Sequence, residues 1–238
     1  LDRGLRTAPS LVPGWAAAGV FLVSYVALDW ATYLWPMVAG YNITPWNPQQ
    51  AFAVALLAWW PSAGWLVLVS VAAGDIVVRG WPVASLAVWF AAATLTVTCL
   101  ALARWLIDAR DPSAMLETRK GLMRFSLIVA GGSLASAIGY VGILSLGHGL
   151  RMEALVGRIA NYWIGNTVGL LVTLPLLLVA ASGRARAALP EVLRSGTWWA
   201  SVAATCAALW IAFGQGEEDS FKFFYLLMLP VVWCSVRF

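Results

Sequence analysis

The chain has 238 residues, of which 61% are hydrophobic and only 11% are charged, whereas an ordinary soluble domain carries about a quarter charged residues. This composition excludes a soluble protein, and residues 171–181, LVTLPLLLVAA, lack the alternation of a transmembrane barrel strand. The formal net charge of +4 comes from dispersed basic residues, so no nucleic-acid partner is predicted. The lipid bilayer is the expected partner.

Apolar runs predict an all-α, polytopic transmembrane helical bundle of about eight helices. In chain order they are predicted at 11–29, 48–60, 62–78, 82–106, 122–147, 156–181, 197–214 and 221–236. Alternatively, 51–74 could be one helix kinked at Pro61, which would leave about seven. Basic residues favour eight helices with N- and C-termini cytoplasmic, because loops rich in Lys and Arg stay in the cytoplasm. The basic residues then left outside are Arg79, Arg151, Arg158 and Lys222.

The second predicted helix follows YNITPWNPQQ, residues 41–50, a polar stretch without a charge. Asn47 and Pro48 predict the helix start, with the Asn side chain capping free amides. The positive end of the helix dipole, facing outward, could receive a carbonyl, carboxylate or phosphate group. Alternatively, Trp46 belongs to the interfacial aromatic belt. This helix of ~13 residues reaches only about 20 Å, so we expect it to pack against its neighbours.

Residues 161–175, NYWIGNTVGLLVTLP, place polar side chains inside an apolar helix. Such side chains need partners in a membrane, so we expect Trp163 and Asn166 to face protein or a cavity. Gly165 and Gly169 would let a neighbouring helix approach closely, and helix packing alone is the alternative reading.

Two carboxylates are predicted near the outer ends of helices one and three. Asp75 lies four residues before Arg79, so the two can pair on one helix face, whereas the residues leave the role of Asp29 open. A carboxylate at the mouth of a bundle is otherwise a candidate for a cation, a proton or a ligand amine. The predicted pocket, suited to a neutral or zwitterionic ligand, combines Trp46, Asn47, Trp163 and Asn166, with Asp29 or Asp75 as the nearest charge.

The chain lacks the residues for catalysis or for a cofactor. Its one histidine, His148, cannot supply both axial ligands of a membrane haem, and no H-E-x-x-H, Walker or G-x-S-x-G motif is present. Cys99, Cys206 and Cys234 lie in apolar runs without metal or disulfide spacing. We therefore predict no cofactor, no metal and no enzymatic activity for this chain.

Two segments, TPWNPQQAFAVALL (44–57) and YWIGNTVGLLVTLPLLL (162–178), resemble MASE1, a membrane sensory domain family of bacterial signalling proteins. The family pattern W-x-G-[DN]-x-x-G-x-x-x-x-x-P is met here by Trp163, Gly165, Asn166, Gly169 and Pro175, and Trp-Pro elements recur at residues 60–61 and 81–82. Asn166 stands where the family often has Asp. The resemblance implies an eight-helix domain in the bacterial cytoplasmic (inner) membrane.

The same resemblance implies a single sensor domain over 1–238, with a histidine kinase or diguanylate cyclase effector expected after residue 238. Because such effectors commonly act as dimers, a homodimer is expected. The predicted function is to bind a small molecule or a partner protein on the outer side and to signal through the last helix. The alternative is a transporter or a substrate-binding membrane subunit, favoured by the broken second helix but not by any repeat of the two halves.

Overall fold

A computed structural model describes residues 14–33, 46–108, 118–147, 153 and 155–180, together with 194–196, 199, 200 and 203. The chain divides into two compact units, Leu1–Ala181 and Ser182–Phe238, and every helix discussed below belongs to the first. Within the described ranges the structure is helical, without strands. The predicted helices at 197–214 and 221–236 lie almost wholly outside the described residues, so the count of eight and the cytoplasmic termini stay predictions.

The first six predicted helices are all present. They are α1 Trp15–Tyr33, α2 Gln49–Trp59, α3 Gly64–Arg79, α4 Leu86–Asp108, α5 Arg119–Gly147 and α6 Leu155–Ala180. All except α2 are long and apolar enough to cross a membrane, with α3 counted from Pro61. The all-helical, multi-pass membrane architecture is therefore confirmed. Helix α1 extends four residues beyond its predicted end at Asp29, and the side chain of Asp29 is buried.

Helices α2 and α3 are separate and reverse direction between them. Trp60 leaves the helical region, with φ −134° and ψ 81°, and a 3₁₀ turn at Pro61–Ala63 precedes α3. Gln49 at the start of α2 and Arg79 at the end of α3 both bond the carboxylate of Asp29. One continuous helix of about 30 residues would hold these two ends about 45 Å apart. The alternative of a single kinked helix is therefore wrong.

Helix α2 lies in the middle of the first unit. Its 11 residues span only about 16 Å, and it packs against α4 and α6. Ala51, Val54 and Leu57 are fully buried, which confirms that the short helix packs against its neighbours. Helix α3 packs against α1 and α4.

Helices α4 and α5 run antiparallel in close contact. Gly132, Gly139 and Gly147 of α5 face Leu102, Thr94 and Ala87 of α4, respectively, with too little space for a methyl group. Small residues at such crossings let helix backbones approach, which is how helices commonly pack in a membrane. Helix α5 also packs against α6, so α6 contacts both α5 and α2.

Candidate functional site

Three buried polar residues lie at the amino end of α2. Asn47, Gln49 and Gln50 are between 2% and 6% exposed. Pro48 occupies the capping position, and no side chain caps the helix. The predicted capping role of Asn47 is therefore wrong, because its side chain bonds a different helix. In a membrane bundle, polar groups at such depth need partners within the protein.

Asn47 joins α2 to α6. Its Nδ2 donates a hydrogen bond to Oδ1 of Asn166 over 2.8 Å, and its backbone N–H donates to the carbonyl of Gly165 over 3.0 Å. A methyl group on Gly169 would overlap the Asn47 carbonyl. We call Asn47, Gly165, Asn166 and Gly169 the amide latch. It confirms that the amino end of the second helix meets the polar face of the sixth, and that Gly169 permits close approach.

Arg79 joins two carboxylates from different helices. Its Nη1 and Nη2 donate to Oδ2 and Oδ1 of Asp29 over 2.7 and 3.0 Å, a bidentate geometry that is strong for Arg and carboxylate. Nη1 also lies 3.2 Å from Oδ1 of Asp75. The side chains of Asp29, Asp75 and Arg79 are 4%, 0% and 20% exposed. This charge cluster confirms the predicted Asp75–Arg79 pair and shows that Asp29 shares the same arginine.

The local backbone makes room for the charge cluster and favours its charges. A methyl group on Gly74 would lie only 2.6 Å from Oδ2 of Asp29, so glycine allows α1 to approach α3 there. Arg79 lies in the last turn of α3, where the helix dipole favours a cation, and Gly80 ends that helix with φ 70°. Nε2 of Gln49 donates to Oδ1 of Asp29 over 3.0 Å, so this carboxylate lies at the positive end of α2.

Two tyrosines connect the charge cluster to the amide latch. The hydroxyl of Tyr140 on α5 donates to Oδ1 of Asp75. The rings of Tyr140 and Tyr162 stack with centroids 4.9 Å apart and planes within 14°. Nε2 of Gln50 lies 3.4 Å from the Tyr162 hydroxyl as a weak donor. Since Tyr162 is one helical turn before Asn166, the contacts form one polar network through α1, α2, α3, α5 and α6.

Sequence reasoning missed the roles of four members of this network, namely Gln49, Gln50, Tyr140 and Tyr162. The glutamines belong to the charge-free polar stretch before α2, so their type and position gave a signal. The tyrosines gave none, because a tyrosine in an apolar helix is equally typical of the interfacial aromatic belt.

The predicted pocket residues do not all meet. Asn47 bonds Asn166, and Asp29 and Asp75 share Arg79. Trp46 is 45% exposed beside the latch, whereas Nε1 of Trp163 donates to the carbonyl of Ala130 on α5 over 2.9 Å, so Trp163 joins α6 to α5. A role for these residues in ligand binding stays a prediction.

Two further features bear on what this network could bind. Within the described residues, Oε1 of Gln49 is buried and accepts no hydrogen bond, so an acceptor beside the charge cluster is open to a donor. Among the same residues, no group of three or more His, Cys, Asp or Glu side chains is arranged to hold a metal ion.

Comparison with known proteins gives one match. The family model MASE1 matches residues 15–238, which includes all of the described helices. No curated protein and no solved structure matches the chain.

Proposed function

This chain belongs to the MASE1 family of membrane sensory domains, and we propose that it binds a small ligand or partner protein at the outer end of its bundle. The bound state then signals through the last helix to a histidine kinase or diguanylate cyclase joined after residue 238. The protein works as a homodimer in the bacterial cytoplasmic membrane, with both termini inside. The distribution of basic residues along the sequence supports this orientation.

The hydrogen bonds that join the amino end of α2 to α1 and to α6 carry this proposal. Gln49 bonds α1, while Asn47 and Gln50 bond α6, so any shift of α2 changes contacts on both helices together. Buried polar and charged groups are expensive inside a membrane and typically mark functional sites. A ligand that moves the amino end of this short helix therefore acts on the whole bundle.

The chemistry of the network supports a neutral or zwitterionic ligand with a donor group. Trp46 offers an exposed aromatic surface, and Oε1 of Gln49 offers a buried acceptor. The two carboxylates and one guanidinium of the charge cluster leave one formal negative charge to attract an amine. Nδ2 of Asn47 bonds Oδ1 of Asn166, so a ligand group that takes the place of either atom opens the latch. Nδ2 of Asn166 is buried without a partner among the described residues and offers a donor to a ligand acceptor.

The test measures effector activity of the full-length protein in membranes. The residues encoded after position 238 decide whether a kinase assay or a cyclase assay is used. Gln49→Leu keeps the side-chain volume but removes the amide that bonds Asp29. A lost hydrogen bond of about 1 kcal/mol shifts a two-state equilibrium about fivefold, so we expect basal or stimulated activity to change by about that factor.

Thr98→Val is the matched control, because the Thr98 hydroxyl bonds only carbonyls of its own helix, those of Thr94 and Leu95. We expect its activity to equal that of the unmodified protein. Normal insertion of Gln49→Leu together with unchanged activity would count against a sensory role for the network.

A further inference from the structure

The first turns of α5 present two parallel rows of side chains, all exposed except Ile128, which is half-buried. Arg119, Met123 and Leu127 follow one another at four-residue spacing, and Lys120, Arg124 and Ile128 form the adjacent row. Together these six line a shallow, open depression on this helix. Each row is basic at its start and apolar one or two turns later.

The length of α5 sets the position of these rows in a bilayer. Its 29 residues reach about 43 Å, more than the ~30 Å of hydrocarbon, so the ends extend into the headgroup layers. Arg119, Lys120 and Arg124 are the charged residues of this helix, and all lie at one end. About 24 Å of helix separates Arg124 from Tyr140, so these rows are distinct from the charge cluster.

Among the described residues, no acidic side chain forms an ion pair with Arg119, Lys120 or Arg124. The first turn of α5 contains no acidic residue, and the ion pairs between described side chains all involve Arg79. The amino end of a helix carries positive partial charge, which disfavours cations there and favours an anion. An anion held by these side chains would therefore stabilise the start of α5.

We propose that this face binds an anionic phospholipid, with the phosphate held by Arg119, Lys120 and Arg124 and an acyl chain lying along Met123, Leu127 and Ile128. Retention of basic residues in cytoplasmic loops explains positive charge near a membrane in general. It does not identify the anion that faces three basic side chains at the start of α5, directly before apolar ones. That order matches an amphiphile with its charged group at the surface.

The test uses the purified full chain in nanodiscs of phosphatidylcholine, with or without phosphatidylglycerol. Native mass spectrometry measures the lipid retained, and a thermal scan measures the unfolding midpoint. The variant Arg119→Gln, Lys120→Gln, Arg124→Gln removes the three cations together. The matched control, Arg104→Gln, Arg184→Gln, Arg186→Gln, removes the same number of charges elsewhere.

We expect phosphatidylglycerol to be retained and to raise the midpoint of the unmodified chain and of the control. The triple variant should lose retention by about fivefold or more, since each basic side chain near an anionic surface contributes about 1 kcal/mol. Arg124→Gln alone should also lower the retention of phosphatidylglycerol. This single variant tests the proposal if the triple variant does not fold.

Three results would overturn the proposal. An equal loss of phosphatidylglycerol retention in the control would show that the lipid is attracted by the overall positive charge of the protein. Equal stabilisation by inorganic phosphate in phosphatidylcholine nanodiscs would show that the site binds a free anion. Retention unchanged in both variants would show that these three cations do not hold the lipid.

Discussion

Asn47 contributes to the bundle through both its backbone and its side chain. The hydrogen bond from its backbone N–H to the carbonyl of Gly165 is kept in any substitution except proline. The hydrogen bond to Asn166 requires the amide side chain. The effect of a side-chain change therefore reports the amide–amide bond and not the docking of α2 as a whole.

Replacing either asparagine of the latch with alanine should destabilise the protein by about 1–3 kcal/mol, because the remaining amide keeps a buried polar atom without its partner. Asn47→Ala combined with Asn166→Ala should cost less than the two single changes together, with a coupling of about 0.5–3 kcal/mol. Unfolding in detergent measures these free energies. Asn161→Ala on the same helix is the control, and strictly additive losses would mean that the two amides do not interact.

Removing the guanidinium of the charge cluster should cost more than removing an amide. Arg79→Gln leaves two nearly inaccessible carboxylates near each other, and we expect a loss of about 3 kcal/mol, at the low end for a buried ion pair because the arginine is partly exposed. Adding Asp29→Asn should recover part of it, since one carboxylate is then neutral.

Chemical denaturation of the purified chain tests this order of stabilities. Arg104→Gln provides the control, because Arg104 is exposed on α4 and should cost little. A loss for Arg79→Gln no larger than that of the control would show that the cluster is solvated and not structural.

At the scale of elements, the contact between α2 and α6 depends on the absence of a side chain at Gly169. Gly169→Ala should destabilise the fold by about 1–3 kcal/mol through overpacking. Gly157→Ala, on the same helix but with no atom within 4 Å of its added methyl, should be neutral or gain up to about 1 kcal/mol from helix propensity. Thermal unfolding of the two variants side by side measures the difference, and equal midpoints would contradict the close approach.

The helices of the first unit were predictable because apolar length and proline positions define membrane spans locally. The Asp75–Arg79 pair was predictable for the same reason, since both residues lie on one helix. Asp29 could not be assigned because its partner lies on α3, and a single sequence carries no record of contact between distant segments. The start of α2 was predictable from Pro48, but the direction of the Asn47 side chain depends on α6 and was predicted wrongly.

At the scale of the whole molecule, the distribution of basic residues predicts the orientation. With eight helices, introduced cysteines at Thr7 and at Ser85 should lie on opposite sides of the membrane, Thr7 inside and Ser85 outside. A membrane-impermeant maleimide should therefore label Ser85→Cys in intact cells, and Thr7→Cys only after permeabilisation, in a background without the native cysteines. Labelling of Thr7→Cys in intact cells would contradict the predicted cytoplasmic amino terminus.

The most direct measurement of the proposed sensory switch fixes the latch covalently. In the full-length protein without its native cysteines, Asn47→Cys and Asn166→Cys are joined by oxidation or by a short thiol crosslinker, and effector activity is measured in membranes before and after reduction. We predict that crosslinking holds activity at one level and that cleavage of the crosslink restores the level and response of the uncrosslinked protein. Equal activity in the joined and reduced states would contradict the conclusion that movement of α2 against α6 carries the signal.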